Sequence, residues 1–232
     1  MMESIRAPFF EIGPKNFLRR AQIESLALVA GQAGSEFNVN VVLTVPTALV
    51  ATVAELADGV LVFAQGLDPG RMGESMNIVT AESLVDAGAA GVMLNHDSNP
   101  LDDDNLIVAI ARANELGLLT IVCAATELEA IRFAQLQPSV VLFEPPALIG
   151  TTGHDEREWV GPVSSAIRQA QPGVLAMHAG GVSSPEVAKR IMAMGADGTG
   201  ATSGVIFADE MAEATRSFIA ATRSGWDIAA QS

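Results

Sequence analysis

The chain is poor in cysteine, in long apolar runs and in basic residues. Its 232 residues contain one cysteine, Cys123, so no disulfide can form within the chain, and a reducing cytoplasmic location is expected. No apolar run reaches the roughly 18 residues that a membrane-spanning helix needs. Residues 1–10 also lack the basic-then-apolar order of a signal peptide. We therefore expect no association with a membrane.

Positive charge is scarce. The 13 lysines and arginines are outnumbered by 27 aspartates and glutamates, which gives a net charge of −14. A nucleic-acid-binding protein needs excess basic residues to neutralise phosphates, so no nucleic-acid partner is expected. A small phosphorylated ligand remains compatible with this charge, because a few oriented N–H groups and one lysine can hold it.

The sequence also has no metal-ligand cluster, no GxGxxG and no P-loop, so neither a metal nor a cofactor is expected. Cys123 lies in an apolar run and is interpreted as a core residue. Apolar residues make up 49% of the chain and charged residues 17%, which excludes a disordered chain and favours a buried core.

Short apolar runs alternate with stretches of helical periodicity, such as Asn16–Ala33, Leu101–Leu116 and Pro185–Met194. Parallel strands need such helices as crossover connections. We predict an α/β fold with one (β/α)8 barrel over residues 1–232; a doubly wound open sheet is the alternative. The predicted strands are Ala7–Ile12, Val39–Leu43, Val60–Ala64, Gly91–Leu94, Leu119–Cys123, Val140–Phe143, Val174–Met177 and a last strand around Asp197–Gly200.

Barrel enzymes place their sites at the C-terminal ends of the strands, which draws attention to Lys15, His96 and Glu144. Lys15 could hold a phosphate and polarise an oxygen, or be the first exposed residue of a helix. His96 could donate a hydrogen bond to a carbonyl oxygen, or be structural. Glu144 directly follows an apolar strand, where a carboxylate is costly unless it is paired in an ion pair or used as a general base.

Glycine-rich segments follow the last two predicted strands, at Ala179–Gly181 and Thr199–Gly204. Turns alone can explain them, but loops after strands seven and eight are the usual phosphate site of such barrels. The segment Ala147–Gly153 follows Glu144 and is bounded by prolines and glycine, so it is predicted to be a lid or an ordinary strand-to-helix loop.

Together these positions resemble the triosephosphate isomerase family, in its shorter archaeal type and related bacterial paralogues. The likeness runs over most of the chain in strand order. It is strongest in Gly91–His96, Leu116–Cys123 and Glu144–Gly150, and it extends to Ala64–Gln65 and Gly73–Glu74. The segment Glu144–Gly150 is highly specific, because it joins the base of that family to its closing loop.

The resemblance implies an aldose–ketose isomerase that acts on a small phosphorylated sugar through an enediolate. Glu144 would be the base, His96 the electrophile and Lys15 the electrostatic residue, while lid closure would exclude water. The phosphate would be held by backbone around Ile149, Gly180, Gly181, Thr202 and Ser203. Gly66–Ser75 occupies the place of the family's intersubunit loop, and a homodimer or homotetramer is expected.

The sequence departs from the family's pattern near each of these residues. Gly13 stands where the family has an asparagine, and Ser98, beside Asp97, stands where it has the glutamate that pairs with its lysine. His178 is an unexpected residue below the phosphate loop, and the lid carries an additional threonine within Gly150–Gly153. The substrate could therefore be a triose phosphate or a close relative such as a tetrulose phosphate. A catalytically inactive phosphosugar-binding paralogue and a barrel epimerase or lyase are the alternatives.

Overall fold

The computed structural model describes residues 4–151 and 157–231. Eight parallel strands pair in chain order, and β8 pairs with β1, so the sheet closes into a barrel. This confirms the (β/α)8 prediction and rules out the open sheet. The strands are β1 Phe9–Ile12, β2 Asn40–Val45, β3 Val60–Ala64, β4 Gly91–Leu94, β5 Leu119–Ala124, β6 Val140–Phe143, β7 Leu175–His178 and β8 Gly198–Ala201.

Helices cover the outside of the barrel. They are α1 Arg20–Phe37, α2 Val50–Leu56, α3 Ala81–Asp86, α4 Asp103–Glu115, α5 Glu127–Ala134, α6 Val160–Ala170, α7 Pro185–Ala193, α8 Ser203–Ile206 and α9 Met211–Ala229, with single 3-10 turns at Thr47–Leu49 and Pro146–Leu148. Among them, no helix of the described chain has the length and apolarity needed to cross a membrane.

Strand β1 illustrates how alternation divides side chains between the barrel interior and the helical shell. Phe10 points outward, and its ring lies 5.8 Å from that of Phe218 on α9. Phe9 points inward, where a Cβ on Gly198 would lie 2.3 Å from its ring, so only glycine fits there. Glu11, two residues after Phe9, therefore also points into the barrel.

The helix boundaries follow local signals in most places. Asp102 precedes α4 and caps it, because its side chain accepts a hydrogen bond from the Asn105 backbone N–H at 2.8 Å. The first helix begins later than predicted, at Arg20 rather than Asn16. Lys15 has a positive φ of 47°, and the turn that follows delays the start of the helix.

Candidate active site

A cavity of about 580 Å³ opens at the C-terminal end of the barrel, where the sequence predicts the site. It brings together all the residues proposed above for catalysis and for phosphate binding. Its lining includes Glu11, Gly13, Lys15, Thr44, Gln65, Met93, His96, Ser98, Leu142, Glu144, Ile149, Gly150, Gly180, Gly181, Thr202 and Ser203.

Lys15 enters the cavity directly after β1 from an uncommon backbone conformation. Its φ of 47° is disfavoured for a residue with a side chain, so the surroundings must hold it there. Gln65, after β3, donates from Nε2 to the Lys15 carbonyl oxygen at 2.9 Å. No carboxylate among residues 4–151 and 157–231 lies within 4.0 Å of the Lys15 ammonium. The ammonium is therefore available to an anionic ligand.

His96 follows β4, and its ring is held in one tautomer. The Ser98 backbone N–H donates to His96 Nδ1 at 3.0 Å, and Ser98 Oγ lies 2.8 Å from the same nitrogen. A backbone N–H can only donate, so Nδ1 is the acceptor and Nε2 carries the proton. Burial lowers the pKa of His96, and the charge of Lys15 lowers it further, while Asp97 opposes both. His96 is thus a neutral imidazole with a hydrogen-bond donor.

Glu144 follows β6 directly, and its backbone N–H pairs with the Ala124 carbonyl oxygen at 3.0 Å. Burial raises the pKa of its carboxyl group, with a further increase from Asp97. Lys15, a backbone hydrogen bond from Gly180 and Arg157 lower it. A partly desolvated carboxylate near a cation has the properties of a general base.

Gly180, Gly181, Thr202 and Ser203 line another part of the cavity, which we call the phosphate wall. Gly180 and Gly181 have positive φ values of 85° and 61°, which bend the chain after β7 toward the cavity. Thr202 and Ser203 begin the short α8, whose first N–H groups have no acceptor within the helix. Oriented N–H groups of this kind bind phosphate oxygens.

Two further features bear on this wall. Arg157 is fully buried and donates to the Gly180 carbonyl oxygen, so it supports the turn from below. The Ile149 N–H donates to the Pro146 carbonyl oxygen at 3.2 Å within the 3-10 turn after Glu144. The last part of the predicted lid, residues 152–153, lies outside the described residues.

Two of the unusual positions are now explained by their contacts. Ser98, in place of a glutamate, supports the imidazole of His96 instead of pairing with Lys15. His178 faces away from the cavity, because its Nε2 lies 2.8 Å from Ser164 Oγ on α6 and its ring packs against Trp159. Burial lowers the pKa of His178 to about 3, with smaller effects from nearby arginines, so this side chain is neutral.

Sequence reasoning missed Glu11 and Thr44, which line the inner end of the cavity. Glu11 is only 6% exposed and Thr44 only 3%. A lone acidic residue in the apolar run Phe9–Ile12 was the available signal, because a carboxyl group inside a doubly buried strand is costly. Within the described ranges, no three His, Cys, Asp or Glu side chains gather closely enough to hold a metal ion.

Comparison with known proteins gives a consistent result. A family model described as triosephosphate isomerase matches residues 15–218. The triosephosphate isomerase of Methanopyrus kandleri is 36% identical over 194 residues, covering 82% of this chain and 85% of its own length. That of Metallosphaera sedula is 32% identical over 84% of this chain and 86% of its own. The triosephosphate isomerase of Cenarchaeum symbiosum is 28% identical over 90% of this chain and 95% of its own length.

Proposed function

The chain belongs to the triosephosphate isomerase family, whose members are aldose–ketose isomerases, and from this premise we propose that it interconverts a ketose phosphate and an aldose phosphate. The first candidate pair is dihydroxyacetone phosphate and glyceraldehyde 3-phosphate. The observation that carries the proposal is the meeting of Lys15, His96 and Glu144 in one cavity that is also lined by the glycine-rich segments after β7 and β8.

Proton transfer between carbons is assigned to Glu144. Its carboxylate removes a proton from the carbon next to the carbonyl and returns it to the neighbouring carbon. The raised pKa supports this role, because a base works best when its pKa approaches the working pH. No other group needs to supply or accept that proton.

We assign to His96 and Lys15 the stabilisation of the negative charge that develops on the substrate oxygens. His96 Nε2–H donates to the carbonyl oxygen as the enediolate forms, and the proton then moves between the two oxygens. The Ser98 contacts support this role, since they fix the tautomer that presents a donor. Lys15 supplies a positive charge; Glu11 and Glu144 interact with it electrostatically, but no carboxylate of the described residues forms a salt bridge with it within 4.0 Å.

Phosphate recognition is assigned to the backbone of Gly180, Gly181, Thr202 and Ser203, with Ile149 joining if its N–H leaves the Pro146 carbonyl. The position of both turns in the cavity lining favours this role, since backbone N–H donors bind a dianion without excess positive charge. The Gly180 N–H would have to leave Glu144 to take part. A homodimer or homotetramer, with Gly66–Ser75 at the interface, remains part of the proposal.

A second candidate substrate is a four-carbon ketose phosphate such as a tetrulose phosphate. Gly13 and Ser98 favour it, because each replaces a larger side chain of the family and Ser98 turns toward His96. Both residues line the cavity that holds the reacting groups.

The test is a coupled assay of the purified protein with dihydroxyacetone phosphate and with erythrulose phosphates, beside Glu144→Gln. The amide keeps the shape of the carboxyl group but cannot take the proton, so kcat should fall about 10²- to 10⁴-fold. Glu55→Gln, an exposed substitution on α2, is the matched control and should leave turnover unchanged.

The outcomes separate the remaining alternatives. Turnover that is lost in Glu144→Gln supports the isomerase and identifies the substrate by its chain length. Thermal stabilisation by these compounds without turnover or solvent hydrogen exchange at the substrate carbon would contradict it, and would instead indicate a phosphosugar-binding paralogue. Undiminished activity of Glu144→Gln would indicate an epimerase or lyase.

A further inference from the structure

Two polar atoms at the inner end of the cavity have no partner in the described protein. They are Glu11 Oε1 on β1 and Thr44 Oγ1 on β2. Neither atom has a hydrogen bond of normal geometry with residues 4–151 or 157–231, although the two side chains lie close enough for Thr44 to lower the pKa of Glu11. Both side chains are more than nine-tenths buried, and both line the cavity. Buried polar atoms are almost always hydrogen-bonded, so an unpartnered pair that faces a ligand cavity points to a ligand.

The surroundings of Glu11 explain why a ligand can reach it. A Cβ added to Gly13 would lie 3.1 Å from Glu11 Oε1, so the absence of a side chain at Gly13 leaves open the space beside that oxygen. Glu11 also interacts electrostatically with Lys15 and Glu144, which places it next to the reacting groups. Where the family has an asparagine side chain, this protein has none at Gly13, and the Glu11 carboxyl group lies next to the space that such a side chain would fill.

We propose that Glu11 and Thr44 form a substrate subsite that binds the hydroxyl group at the end of the ketose phosphate opposite its phosphate. This inference rests on the proposed isomerase function and deepens it. The substrate class is a phosphorylated polyhydroxy ketone, and the hydroxyl group both donates to and accepts from the pair. Glu11 and Thr44 bind and position the substrate; they take no proton from carbon.

The protonation state of Glu11 gives the subsite a pH dependence. Burial raises the pKa of Glu11 to about 7; Thr44 and Lys15 lower it, and Glu144 raises it. Cys123 on β5 also interacts with Glu11, and burial raises the pKa of its thiol, which keeps it neutral. Below pH 7 the Glu11 carboxyl group can donate to a substrate oxygen. Above that pH the carboxylate can only accept a hydrogen bond, so the substrate oxygen loses a donor and substrate binding should weaken.

The test compares Glu11→Gln, Glu11→Leu and Thr44→Val in the full-length protein. Glutamine keeps a donor at every pH, leucine removes the polar group, and valine removes only the hydroxyl. With the ketose phosphate that the wild type turns over, KM should rise about 10- to 100-fold in Glu11→Leu and about 10-fold in Thr44→Val. The inhibition constant of inorganic phosphate, which occupies only the opposite wall, should stay unchanged.

The pH profile provides the second readout. Between pH 6 and pH 8.5 the KM of the wild type should rise, and that of Glu11→Gln should stay level. An active isomerase in which Glu11→Leu and Thr44→Val keep the wild-type KM would overturn the subsite while leaving the proposed function intact. Identical pH profiles of wild type and Glu11→Gln would also overturn it. If Glu11→Leu fails to fold, Thr44→Val and the Glu11→Gln profile decide.

Discussion

Glu11 and His178 are both titratable side chains buried within strands of the barrel, yet they lie on opposite faces of the sheet. Glu11 points into the barrel and reaches the cavity, whereas His178 points outward and contacts Ser164 and Trp159 in the helical shell. Burial raises the pKa of Glu11 to about 7 and lowers that of His178 to about 3. In both cases burial favours the neutral form.

The difference shows that a perturbed pKa does not by itself identify a residue that meets the substrate. The position of a residue along its strand decides whether it faces the cavity, because successive side chains alternate between the barrel interior and the helical shell. Glu11 belongs to the set of inward positions that ends in Glu144 and Lys15 at the mouth. His178 belongs to the outward set, and its neutral ring serves packing.

The conclusion that position relative to the cavity decides function is tested most strongly by the chain's two lysines, Lys15 and Lys189. Lys15 lines the cavity, and Lys189 is exposed on α7. Lys15→Met removes the charge next to the developing oxyanion and keeps the backbone strain of a non-glycine residue. We expect kcat/KM to fall about 10²- to 10³-fold. Lys189→Met should change it less than about twofold. Equal losses in steady-state assays of the two variants would contradict the assignment of Lys15.

The opposite pKa shifts predict opposite effects of pH on stability. Between pH 4.5 and 6.5, folded Glu11 binds more protons than the unfolded chain, so its contribution to the free energy of unfolding falls as pH rises. Folded His178 binds fewer, so its contribution rises with pH. Each slope can reach about 1.4 kcal/mol per pH unit. In the wild type the two slopes largely cancel.

Single variants should expose each slope separately. In Glu11→Gln only His178 of the two titrates, so the free energy of unfolding should rise as pH rises through this range. In His178→Gln only Glu11 of the two titrates, so the free energy of unfolding should fall. Urea titrations of both variants at pH 4.5, 5.5 and 6.5 provide the measurement, and other titrating groups contribute equally to both. Parallel pH dependences would show that the two sites are not perturbed in opposite directions.

Much of the fold could be predicted because its signals are local. The apolar run Val140–Phe143 and the segment Gly91–Leu94 are strands with the predicted bounds. The inward direction of Glu11 could not be predicted, since Phe9 and Phe10 are equally apolar and give no sign of which one faces the helices. That choice depends on Gly198 in β8, far away in sequence, leaving room for the Phe9 ring.

The same limit applies to the residues after β1. Phe17 and Leu18 continue an apolar period that fits a helix from Asn16, yet the helix begins at Arg20. The left-handed conformation of Lys15 and the turn after it keep the following residues out of the helix, and Gln65, which follows β3, supports Lys15 by a hydrogen bond. Such long-range contacts cannot be predicted from the spacing of residues along the chain. The site residues could therefore be predicted from the sequence, but the residues that hold them in place could not.

The smallest expected effect is that of Gly181→Ala, which tests whether the backbone at Gly181 binds the phosphate or is only a strained turn. In Gly181→Ala, the new Cβ would meet Thr151 Oγ1 at 2.5 Å and the Leu148 carbonyl oxygen at 3.1 Å, at a φ of 61°. The strain of about 1–2 kcal/mol should shift the turn and raise both KM and the inhibition constant of inorganic phosphate about 10-fold.

Gly173→Ala is the matched control, because its φ of 98° is also strained while its Cβ would meet no atom within 4 Å. It lies in the turn before β7, away from the cavity, so it should lower the melting temperature and leave KM unchanged. If both variants lose stability but neither changes KM, the Gly180–Gly181 turn would be a structural bend, and the phosphate would have to be held from Thr202 and Ser203. A rise in KM confined to Gly181→Ala would instead mark this backbone as part of the binding surface, which neither burial nor a pKa shift could identify.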